Sequence, residues 1–135
     1  MTTHPYLRAY MAGIAVPTPF LLVAVTGFTI ARSVFELPLT LEHVIIFPMA
    51  AVPNLWGVWN MVRLASGAGD RWSIGVHGAV LPLLLIPLGL LLARMFAIDI
   101  ITPGLLAAFA PFAIAIYYLA WKYLVGYFND VLGIA

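Results

Sequence analysis

The side chains able to do chemistry are few. They concentrate in one run, His43 to Arg63, which carries two prolines, two asparagines, two tryptophans and a histidine in an otherwise apolar stretch. From this run His43, Asn54, Trp56 and Asn60 stand out as candidate ligand-binding residues, joined by His77 from the next apolar run. An amide in the middle of an apolar helix needs a partner, because burying it unpaired costs roughly 2–7 kcal/mol. Pro53 removes one backbone donor and frees the carbonyl of Met49. A freed carbonyl beside a buried amide makes a polar point deep in a membrane, as broken helices do in transporters. The same residues fit a plainer use as well. Ala50, Asn54 and Gly57 would form a small-residue packing face closed by an interhelical hydrogen bond.

Other chemistries meet obstacles. His43 and His77 open consecutive apolar runs from opposite sides, so about 25 Å of depth separates them at 1.5 Å per residue, and one haem iron cannot take both. Proton-coupled cation export needs an intramembrane carboxylate, yet every Asp and Glu lies outside the apolar runs or at their mouths. Glu42 and His43 are the nearest thing to an acid–base pair. Adjacent residues project about 100° apart on a helix, however, and no serine or cysteine partner is evident. An intramembrane enzyme is therefore an alternative that depends on residues brought together by the fold. The chain has no cysteine, which removes thiolate nucleophiles, disulfides and iron–sulfur ligands. No catalytic residue, metal or cofactor is assigned.

The elements that must position these residues follow from composition. Of 135 residues, 64% are hydrophobic and 8% charged, where a soluble domain carries about 25% charged residues. Mean hydropathy is +1.09. This composition predicts an all-α integral membrane protein embedded in a lipid bilayer, with one domain over residues 1–135. A net charge of +1 excludes a polybasic surface for nucleic acid.

Four apolar runs can each cross a hydrocarbon core about 30 Å thick, which needs about 20 helical residues. They cover about 10–30, 43–62, 73–95 and 105–124, and short connections predict an antiparallel four-helix bundle. The first run is too long for a signal-peptide core and is read as a mature helix. Pro17-Thr18-Pro19 should kink it, with Thr18 repairing a freed carbonyl, and Pro82 and Pro87 interrupt the third helix. Thr102 and Pro103 form a cap and first turn for the fourth. Its far end, with Tyr117, Tyr118, Trp121, Lys122, Tyr123 and Tyr127, reads as an aromatic belt with a snorkelling lysine; Asn129-Asp130 reads as the return to water. Arg8, Arg63, Arg71 and Lys122 share one side against Arg32 and Arg94, which places both termini in the cytoplasm of a bacterial inner membrane.

Taken as a helix, the second run puts His43, Phe47, Ala50, Asn54, Gly57 and Met61 on one stripe. Glu42, Met49, Pro53, Trp56 and Asn60 fall beside it, and Trp59 falls on the lipid side. The function expected is the binding or transport of a small ligand along the polar side of this helix. The alternative is a non-catalytic subunit of a larger membrane complex. A homo-oligomer, foremost a dimer, is expected through the Ala50-Asn54-Gly57 and Gly75-Ala79 faces.

Overall fold

The computed structural model describes residues 3–38, 40, 49–67, 71–99 and 101–134, and every regular element among them is helical. Helices α1 (Pro5–Ala15) and α2 (Pro17–Phe35) follow one another and break at Val16. The break falls where the sequence places its Pro-Thr-Pro. Pro17 and Pro19 remove the amides that would bond the Gly13 and Ala15 carbonyls. Between those two carbonyls, the Thr18 hydroxyl turns back and donates to the Ile14 carbonyl at 2.6 Å. Helix α3 (Val52–Ala65) is preceded by a wider, π-type turn at 49–51 and carries Pro53 in its first turn, where a missing donor is tolerated. Helix α4 (Ile74–Met95) contains Pro82 and Pro87. Helix α5 (Pro103–Ala120) is capped as expected, with the Thr102 hydroxyl accepting from the Leu105 amide at 3.2 Å. A π-helical turn (Trp121–Val125) then leads into α6 (Gly126–Val131).

Three helical segments are long and apolar enough to cross a membrane: Pro5–Phe35, Ile74–Met95 and Pro103–Val131. Of the run expected at 43–62, the part from 49 onward is helical, while Glu42, His43 and Phe47 lie outside the described residues.

Two antiparallel pairs make the packing. In the first, Gly13 of α1 backs onto α3 so closely that a Cβ would stand 2.5 Å from the Trp56 carbonyl oxygen, and the Tyr10 ring covers Gly57. In the second, Gly75 of α4 takes the Tyr118 ring and Gly78 takes Trp121, where a Cβ would stand 2.2 Å from the indole Cγ. The main core joins the pairs through Val16, Trp56, Leu81, Leu85, Trp121 and Val125. Helix α2 stands apart: Pro17 is its one buried residue.

Gly57 and Gly75, two residues of the faces expected to meet other copies, each have a ring of the same chain beside them, Tyr10 and Tyr118. One expectation is corrected here. Asn129 does not mark a return to water. It lies in α6, 2% exposed, because the π turn carries the helix onward and turns it inward. The chain after α6 closes in a Schellman motif: Gly133 adopts the left-handed conformation (φ 66), its amide bonds the Asp130 carbonyl, and the Ile134 amide bonds the Asn129 carbonyl. Ile134 thereby packs against Ala9 and Ala12 of α1.

Candidate functional site

Helix α3 presents its chemistry in two directions. Pro53, Trp56, Gly57, Asn60 and Arg63 are its buried residues, so the expected stripe of Pro53, Trp56 and Asn60 does face inward. Asn54 lies about 100° from Pro53 around the helix and is exposed in the isolated chain. Its partners are local. The side-chain amide donates to the Ala50 carbonyl at 2.6 Å, and the Tyr10 hydroxyl donates to its carbonyl oxygen. The expectation of a buried amide at Asn54 is therefore corrected: the buried one is Asn60.

Asn60 is 0% exposed and every hydrogen-bonding position on its amide is used. Its nitrogen donates to the Ala9 carbonyl and to Asn129 Oδ1, both at 2.8 Å. Its oxygen accepts from Arg63 Nε at 3.1 Å and from Asn129 Nδ2 at 3.3 Å. One side chain thus ties α3 to α1 and α6. Nearby, Arg8 donates to the Leu132 carbonyl at 3.2 Å and fixes the chain after α6 to the start of α1. This junction holds helices together and leaves the Asn60 amide no free position for a ligand.

Trp56 turns the other way, into the aromatic centre. It meets Tyr117 edge-on with centroids 4.8 Å apart and lies 5.6 Å from Trp121. A cleft of about 520 Å³ opens beside it between α2 and α5, walled by Phe20, Leu21, Tyr117, Ile116, Leu119 and Tyr123. Its outer residues, such as Phe20 and Ile116, are exposed apolar side chains. Trp121 is fully buried, so the expected aromatic belt loses it to the core. Tyr123 and Tyr127 stay exposed, and Lys122 Nζ rests 5.2 Å from the Tyr123 ring.

His77 is buried on α4 and its carbonyl accepts the Trp59 indole N–H at 2.8 Å; its ring lies 5.8 Å from that of Trp72. Trp59, expected to face lipid, therefore donates a hydrogen bond that ties α3 to α4. Of the five candidates, Trp56 and Asn60 share the buried side of α3, and His77 adjoins it through Trp59 rather than through either of them. Asn54 stands apart, and His43 is outside the described residues.

Sequence reasoning missed Asn129, Tyr117 and Trp121 as neighbours of the candidates. One signal was present: Trp121, Val125 and Asn129 recur every four residues, a spacing that a wider turn keeps on one face. Among the described residues, no three His, Cys, Asp or Glu side chains gather as metal ligands would. Comparison with protein families, curated proteins and solved structures finds nothing that matches this chain, so the roles of these residues rest on their geometry.

Proposed function

We propose that this is a bacterial inner-membrane protein of four crossing helices, with both termini cytoplasmic, that binds a flat, apolar small molecule dissolved in the bilayer. The observation that carries the reading is the 520 Å³ cleft beside Trp56. Small-molecule sites fall at about 300–1,000 Å³, with apolar and aromatic walls and few polar groups. Here Phe20, Trp56, Tyr117 and Tyr123 supply four aromatic rings, which suits a ring-bearing ligand such as a quinone better than an acyl chain. Entry is lateral, past Phe20 and Ile116 from the lipid. The sealed Asn60–Asn129 junction favours binding over passage of a polar solute through the bundle. Trp56 is the one expected ligand residue that this site retains.

Saturable quenching of Trp56 fluorescence by a short-tailed benzoquinone, read as the difference between wild type and Trp56→Phe in nanodiscs, tests the proposal. Ala120→Phe, which fills the cleft, should weaken the saturable component at least about tenfold, equivalent to about 1.4 kcal/mol. Quenching that rises linearly and is equal in Ala120→Phe would reflect partition into lipid. That result would leave the reading as a non-catalytic subunit, for which the nearly unpacked α2 offers a surface.

A further inference from the structure

The opposite side of α3 bears a second cleft, of about 650 Å³, whose walls include Trp59, Arg63, Arg71, Trp72 and His77. It lies at the end of the bundle that also holds Arg8 and Lys122. Arg63 is 7% exposed, and a guanidinium keeps its charge at any physiological pH. Its Nε is used by Asn60, but among the described residues its two Nη atoms meet no acceptor and no carboxylate pairs with it. Asp130 shares only a separate cleft of about 420 Å³ with Arg63, and Lys122 lines that cleft too. The Arg63 side chain is packed over most of its surface and its guanidinium lines the cleft, so an anion there would gain charge-assisted hydrogen bonds in a partly desolvated setting.

We propose that the cleft between α3 and α4 binds a phosphate-type oxyanion, gripped by the guanidiniums of Arg63 and Arg71. Arg71 is exposed at the cleft mouth and reaches the same volume as Arg63. Guanidinium forks match phosphate oxygens in pairs, and a phosphate offers more oxygens and charge than a carboxylate. Trp72, 55% exposed, stands beside His77 as the aromatic wall expected at headgroup level. The oxyanion can come from a lipid headgroup or from free phosphate. This site shares no lining residue with the Trp56 cleft, so either can fail without the other.

The test compares full-length protein in phosphatidylcholine nanodiscs, in nanodiscs containing phosphatidylglycerol, and in phosphatidylcholine nanodiscs with added inorganic phosphate. A rise in melting temperature of about 3 °C is expected with the anion. A rise with phosphatidylglycerol alone assigns the lipid source, and a rise with inorganic phosphate assigns the free one; both support the site. Arg71→Gln, at an exposed position, should keep the fold and abolish the rise, and Arg63→Gln should do the same where it folds. Lys122→Gln removes the same charge outside the cleft and should leave the rise intact. No rise in wild type, or an equal loss in Lys122→Gln and Arg71→Gln, overturns the proposal. Asp70 adjoins Arg71 in sequence, and a rise that appears only in Asp70→Asn would make its carboxylate the counter-ion and overturn the proposal as well.

Discussion

The two helix pairs solve the same problem by different physics. Helices α1 and α3 close on a pair of glycines and are then fastened by amides, with Asn60 bonding both Ala9 and Asn129. Helices α4 and α5 are fastened by shape: Gly75 and Gly78 are notches that receive Tyr118 and Trp121. In a membrane, apolar contact with lipid is as favourable as apolar contact with a helix, so association must come from close packing or from hydrogen bonds. The first pair uses both, close packing at Gly13 and Gly57 and hydrogen bonds at Asn60, while the second is fastened by packing. The lesson is that an asparagine in an apolar helix need not point to a ligand, and a glycine–aromatic pair does as much without any polar atom.

The largest break should come in the second pair. Gly78→Ala puts a methyl group within 2.2 Å of Trp121 Cγ, with the indole fully buried and unable to swing aside. Overpacking of this kind typically costs 1–3 kcal/mol, and the upper end, about 3 kcal/mol, is expected in a melting curve in nanodiscs. Adding Trp121→Leu should recover part of it, since the obstacle is then gone.

Next comes the first pair. Asn60→Leu strands Asn129 and the Nε of Arg63 in a buried site, and about 2 kcal/mol should be lost. Asn60→Leu combined with Asn129→Leu should cost less than the sum of the two single changes, because neither amide is then left unpaired. An additive result in a double-mutant thermal cycle would mean that the two amides do not cooperate.

Asn54→Leu should have the smallest effect, about 0.6 kcal/mol or less, because its bonds run to Tyr10 and to its own helix at an exposed position. A loss at Asn54 larger than that at Asn60, measured under the same conditions, would reverse the comparison within α3.

How much of this could be read beforehand follows the same division. The extent of α4, the Thr102 cap and the break at Pro17 were legible because proline and capping chemistry act locally. The inward stripe of Pro53, Trp56 and Asn60 was legible from periodicity. Which of the two asparagines is buried was not, for that depends on where α1 and α6 pass α3, and α6 exists only because a π turn extends the helix past Trp121. Trp59 was misplaced for a related reason. Hydropathy cannot separate a residue facing lipid from one facing a neighbouring helix when both surroundings are apolar. Arg63 and Asn129 were judged by their closeness to the ends of apolar runs, where burial by a neighbouring helix leaves no local trace.

The seam that joins Ala9 and Ala12 to Ile134 bears on the biogenesis of the chain. Arg8 and its partner Leu132 are 124 residues apart. At about 5–20 residues per second, a ribosome needs roughly 6–25 s to pass from one to the other. Throughout that interval the small-residue face of α1 lacks the later segment that packs on it. The early helices can therefore form before their final locking, which waits for the segment around Asn129 and Ile134. A nascent chain halted before Asn129 would hold α1 and α3 at their glycine crossing alone, without the amide that bonds Asn60.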